Sequence, residues 1–227
     1  MIELLNMDCM EYMKGLKDNA FDLAIVDPPY GIGEDGGKFR HGPKSKAKGF
    51  RVKSYTKKEW DRKTPNKEYF DELNRVSKNQ IIWGGNYFAD KLPTSSCWLI
   101  WDKKGFDKSD FADAELAWSS FKSSVRIFKY DWIGFGHLNL PEKRNRIHPT
   151  QKPIALYKWI LKNYAKPGDK ILDTHGGSMS SAIACHEMGF DLTLCEIDKD
   201  YYEAGLKRVA EAMKQQVLFN YEPEEVR

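Results

Sequence analysis

The sequence predicts a doubly wound α/β fold built on a mostly parallel sheet. Apolar runs of strand length alternate with segments of helical periodicity. The C-terminal third reads strand, glycine loop, helix, strand, helix, which is half of such a sheet. Two runs stop abruptly at carboxylates, Asp27 and Asp173, and ligands of parallel sheets sit at the carboxyl ends of strands. A chain of 227 residues suffices for one domain of this kind and is too short for two ordinary ones, so residues 1–227 are expected to form a single domain.

In chain order, residues 1–6 are a short strand candidate and 9–16 a short helix. The run 21–26 is a strand halted by Asp27-Pro28-Pro29-Tyr30. Residues 31–66 form a Gly/Lys-rich segment, too long for a structureless connection unless it is functional or mobile. Tyr69, Phe70, Leu73 and Val76 share one face of a helix expected over 67–76. Strands are expected over 80–83, 98–101, 114–118 and 125–128. Pro153 suits the first turn of a helix over 153–165. A strand over 170–173 leads into His175-Gly176-Gly177-Ser178, a helix of small residues to Met188, a strand over 191–196 and a helix over 199–215.

Composition narrows the class. Apolar residues make up 41%, which excludes global disorder. The net charge is only +3, yet residues 38–63 hold eleven basic and two acidic residues, so this segment carries +9 and the rest −6. A basic arm on an acidic body points to a polyanionic partner; a solvated Lys-rich loop is the plainer alternative. No stretch approaches the length of a membrane span, and the first residues lack the pattern of a signal peptide. Cys9, Cys97, Cys185 and Cys195 form no CxxC pair and do not pattern with the five histidines as a zinc site. The expectation is a cytoplasmic protein with reduced thiols and no metal.

Chemistry gathers at the strand ends. The glycine pair after Asp173 lets backbone N–H groups approach an anionic group at a helix N-terminus, although glycines at such turns also serve close packing. Glu196 ends the next strand, where a carboxylate can accept hydrogen bonds from ribose hydroxyls. The spacing is not that of a dinucleotide site, and a smaller nucleoside cofactor fits it better. At Asp27-Pro28-Pro29-Tyr30 the prolines fix the backbone, so the Asp27 carboxylate and the Pro28 carbonyl can converge as two rigid acceptors. An amino group on a planar base offers two N–H donors to such a pair. Tyr30 can then stack on the base, an interaction worth roughly 1–3 kcal/mol.

With these motifs the chain resembles the S-adenosylmethionine-dependent amino-methyltransferases of DNA, in the β order that places the catalytic tetrapeptide before the cofactor loop. The likeness covers nearly all of the chain and implies a Rossmann-like sheet of the class I methyltransferase type. It makes Asp27, Pro28, Pro29 and Tyr30 the catalytic motif. Asp8 and Cys9 correspond to the segment that contacts the cofactor adenine. His148-Pro149-Thr150-Gln151-Lys152-Pro153 corresponds to the segment beside the cofactor's methionine end, so Thr150, Gln151 and Lys152 are expected there. Asp173, His175, Gly176, Gly177 and Ser178 form the cofactor loop, and Glu196 and Asp198 lie in the segment that supplies the ribose-binding acid. Thr174, His175 and Met179 depart from the family's loop, where proline, phenylalanine and a second glycine usually stand.

The resemblance implies S-adenosyl-L-methionine as cofactor and double-stranded DNA as partner, with the target base flipped out of the helix. Asp at the head of the tetrapeptide resembles the adenine-N6 enzymes more than the cytosine-N4 enzymes, which usually carry Ser there. Residues 121–146 correspond to a short target-recognition region, as in an orphan, phage-type enzyme of a bacterial or phage-infected cell, and Arg144 and Arg146 are candidate phosphate contacts. Related enzymes are often homodimers. A cytosine-N4 DNA methyltransferase, a non-catalytic DNA-binding homologue and an RNA methyltransferase are the alternatives. Protein-glutamine enzymes usually carry Asn before Pro-Pro-Tyr, which counts against them.

Overall fold

The structure, a computed structural model, describes residues 1–36, 55–103, 112–130, 132, 142 and 145–219. Most of the basic segment, Arg144 and much of the 121–146 region lie outside the described residues. The strands are β1 (Ile2–Leu5), β2 (Phe21–Val26), β3 (Ser77–Trp83), β4 (Trp98–Asp102), β5 (Ala114–Ser119), β6 (Arg126–Lys129), β7 (Lys170–Asp173) and β8 (Asp191–Cys195). The helices are α1 (Cys9–Lys14), α2 (Lys67–Val76), α3 (Ile154–Tyr164), α4 (Ser180–Met188) and α5 (Lys199–Phe219), with a 3-10 turn at Gly85–Tyr87.

One sheet contains all eight strands in the order β1-β8-β7-β2-β3-β5-β4-β6. Every pairing is parallel except the two made by β5, which runs against β3 and β4. The mostly parallel expectation holds. What the sequence does not show is the reversal of β5, because strand direction leaves no mark on an apolar run.

Alternation along β2 sorts the two faces. Leu23 and Ile25 pack with α3, α4 and α5, through residues such as Leu156, Ile160, Ala184 and Val209. Ala24 and Val26 pack with α1 and α2, through Met13, Tyr69, Leu73 and Val76. Capping sets the helix starts. Asp8 accepts hydrogen bonds from the N–H groups of Met10 and Glu11, and Asn66 accepts one from Tyr69. Pro153 is the N-cap of α3 rather than a residue of its first turn. Among the described residues, no helix is long and apolar enough to cross a membrane. All four cysteines are free thiols.

Candidate active site

The parallel strands β1, β8, β7 and β2 are neighbours, so Asp173, the last residue of β7, and Asp8, Glu196 and Asp27, which follow β1, β8 and β2, lie along one edge of the sheet. The antiparallel course of β5 brings its first residues to that same edge. Trp101 and Asp102, at the end of β4, pair with Glu115 and Ala114 at the start of β5.

The glycine loop is braced from beneath. Asp173 is buried; its Oδ1 accepts from the His175 N–H at 3.0 Å and its Oδ2 from Ser181 Oγ at 2.6 Å. Burial pushes its carboxyl up to about 7. Gly176 donates its N–H to the Cys195 carbonyl at 2.8 Å, tying the loop to β8. Gly177 has φ +50° and faces the His148 ring, which a Cβ there would meet at 3.7 Å. Glu196 is 8% exposed, accepts from Gly177 N–H at 2.6 Å and from Asp198 N–H at 2.8 Å, and has its pKa raised by burial.

The loop's departures from the family pattern are accommodated. Thr174 shares a hydrogen bond with the Tyr69 hydroxyl at 2.7 Å. The His175 ring meets Tyr69 edge-on at 5.4 Å, and burial lowers its pKa to about 4, so it is neutral. Met179 takes the left-handed conformation (φ 57°) that a glycine adopts freely. Its buried side chain fits because Gly205 on α5 has none: a Cβ there would lie 2.6 Å from the Met179 sulfur.

Asp8 caps α1 and Cys9 opens it. Thr150 Oγ1 lies 3.1 Å from His148 Nδ1, and His148 sits against Trp60 and Tyr201. Burial, helped by Lys152, lowers the His148 pKa to about 3. The buried Gln151 accepts from the Ile147 N–H at 3.0 Å, and its Nε2 has no hydrogen-bond partner among the described residues. Ser178 Oγ lies 3.2 Å from Ser180 Oγ. Asp198 accepts from the N–H groups of Asp200 and Tyr201 and pairs with Lys58 at 3.0 Å.

The basic segment, expected as one mobile loop, is docked at both described ends. Buried Asp61 accepts from the N–H groups of Gly31 and Glu34, each at 2.8 Å, while Lys58 bridges Asp198 and Asp200 at the start of α5.

At the tetrapeptide, Asp27 Oδ1 accepts from the Tyr30 hydroxyl at 2.6 Å, and Oδ2 pairs with Lys152 Nζ at 2.5 Å. Lys152 is 3% exposed and also donates to the Tyr30 oxygen at 3.1 Å. The Tyr30 ring is not open on the face it shares with Tyr87. It stacks on that ring at 5.0 Å and 17°, and a Cβ on Gly84 would strike it at 2.2 Å. Tyr87 is 41% exposed and forms the outer member of the pair.

The motif around Lys152 suggests a place beside a cofactor, and the fold sets this residue against Asp27. Sequence reasoning missed Tyr87 and Glu115. Glu115 Oε2 pairs with Lys152 at 3.1 Å and Oε1 with Lys103 at 2.5 Å. A lone Glu at the start of an apolar run gives no signal until the direction of the strand is known.

A DNA methylase family profile matches residues 89–207, more than half of the chain. The chain belongs to the DNA methylase family. The type II methyltransferase M2.MboI of Moraxella bovis is 24% identical over 220 residues, covering 78% of this chain and 76% of its own length. Among solved structures, the complex of M1.HpyAVI with SAM superposes with a TM-score of 0.57 at 20% identity, covering 92% of this chain and 100% of that one. The cytosine-N4-specific PvuII DNA methyltransferase gives 0.56 at 11% identity, covering 94% and 92%. The methylase therefore has the fold of class I methyltransferases.

Proposed function

We propose that this DNA methylase transfers a methyl group from S-adenosylmethionine to the N6 amino group of adenine in duplex DNA, with the base flipped out of the helix. The observation that carries the reading is a half-buried aspartate, rather than a serine, at the head of the tetrapeptide, held in place by Lys152 and Tyr30.

The donor set fits the cofactor. The acid Glu196 and the N-cap Asp8 follow adjacent parallel strands, suited to hydroxyl and amino donors. The Gln151 Nε2 is a buried donor without a partner among the described residues, suited to a carboxylate. Glu196, Asp8, Gly177 and Gln151 would hold S-adenosylmethionine, which when bound supplies an electrophilic methyl group.

The remaining chemistry belongs to the chain. A carboxylate offers about four acceptor sites, so Asp27 retains capacity after Tyr30 and Lys152 have bonded to it. Its free lone pair and the Pro28 carbonyl accept the two amino hydrogens, turning the nitrogen lone pair out of the ring. Burial raises the Asp27 pKa, and Lys152 opposes that rise. Positioning and electrostatics then supply the rate. The exposed ring of Tyr87 offers the flipped base its stacking surface, with Tyr30 behind it.

The test is to incubate the protein with S-adenosylmethionine and unmethylated duplex DNA in competition with structured RNA, then digest each to nucleosides for mass spectrometry. N6-methyladenine from DNA is expected. N4-methylcytosine, or label in RNA alone, would contradict the reading of Asp27.

A further inference from the structure

Behind Asp27 runs a row of four charged side chains from four different segments. Lys103 follows β4, Glu115 lies at the start of β5, Lys152 precedes α3 and Asp27 follows β2. Contacts of 2.5, 3.1 and 2.5 Å link them in that order. None is more than 22% exposed. Two ammonium groups and two carboxylates leave the row formally neutral.

Methyl transfer makes that neutrality matter. The methyl donor is a sulfonium cation; as the N–C bond forms, the S–CH3 bond breaks to leave neutral S-adenosylhomocysteine, and the positive charge passes to the nitrogen, which then sheds one proton to solvent. Asp27 alone balances only one of the two ammonium groups. Without a second carboxylate the row would carry a net positive charge next to an incoming cation, in surroundings that screen charge poorly.

We propose that Glu115 is a positioning and charge-balancing residue of the methyl-transfer site: it anchors Lys152 against Asp27 and cancels the Lys103 charge, so that a cationic donor is admitted. This inference rests on the methyl-transfer reading above. Burial alone would raise the Glu115 pKa, but Lys152 and Lys103 bring it down to about 2, so it is ionised throughout the working range. Burial would lower that of Lys152, but Asp27 and Glu115 outweigh it.

The test compares two ligands that differ in charge. S-adenosylhomocysteine lacks the methyl group and the positive charge of S-adenosylmethionine. Calorimetric titration of the full chain with each should show Glu115→Gln binding S-adenosylmethionine about tenfold more weakly, the scale of one partly screened charge, and S-adenosylhomocysteine within about twofold of wild type. Glu115→Asp, which keeps the charge, should restore the wild-type ratio of the two affinities.

Lys103→Met is a second probe should Glu115→Gln fail to fold. It leaves the row net negative and should tighten the sulfonium ligand relative to the neutral one. Equal weakening of both ligands in Glu115→Gln, or an unchanged ratio in either variant, would overturn the inference while leaving the methyl-transfer reading intact. A wild-type protein that binds neither ligand would sink both.

Discussion

Asp27 is the residue on which the chemistry turns. Replacing it with Ala removes one of two acceptors from the amino group and leaves Lys152 buried beside Glu115. Methyl transfer should fall at least about 10²-fold in kcat, with calorimetric S-adenosylmethionine affinity largely retained. Asp173 is a carboxylate of a different kind, braced inside the glycine loop and raised to about 7. Its stability contribution is present below the ordinary carboxyl pKa and declines as pH rises through about 7. An amide at this position can still accept from the His175 N–H and donate to Ser181 Oγ. Asp173→Asn should therefore gain stability relative to wild type between about pH 5 and pH 8, read as a rising difference in Tm. A difference that does not change with pH would contradict the assignment. Tyr87→Ala should raise KM for DNA several-fold while leaving cofactor affinity unchanged, because its exposed ring is the stacking surface proposed for the flipped base.

At the scale of elements, Met179 and Gly205 form a matched pair across the loop and α5. Gly205→Ala gains helix propensity, about 1 kcal/mol, but its new Cβ meets the buried Met179 sulfur at 2.6 Å. The substitution should destabilise wild type by about 1–3 kcal/mol and stabilise a Met179→Gly background. A double-mutant cycle followed by chemical denaturation checks that reversal of sign. The strands and helices themselves are largely legible in the sequence, because period-two and helical patterns, proline stops and capping residues act locally. Phe21–Val26, Lys67–Val76 and Lys170–Asp173 lie where their patterns place them. The direction of β5 is not legible, since it depends on which neighbours the strand finds. That reversal hides Glu115, and the same dependence on tertiary contact hides Tyr87. It also hides the position of Lys152, whose motif suggests a cofactor contact and whose fold sets it on Asp27.

Over the whole molecule the charge is divided, with +9 in residues 38–63 and −6 elsewhere. Lys58 directs part of that charge inward, onto Asp198 and Asp200, so the full +9 is not offered to DNA. Changing Lys44, Lys46, Lys48, Arg51 and Lys53 to Gln should reduce the slope of log affinity against log salt by about 0.9 for each phosphate that is no longer neutralised. The kcat at saturating DNA should stay as in wild type, and fluorescence-anisotropy titrations at several salt concentrations measure the slope.

The methyl-transfer centre we propose joins a cofactor site on β1, β8 and β7 to an amino-group acceptor at the end of β2. Its most direct test is single-turnover transfer of labelled methyl from S-adenosylmethionine to duplex DNA by wild type and Asp27→Ala, with the modified nucleoside identified in each. Labelled N6-methyladenine from wild type and none from the variant, with both proteins folded and binding the cofactor, is the predicted result. Undiminished transfer by Asp27→Ala, or no transfer by folded, cofactor-bound wild type, would contradict the account.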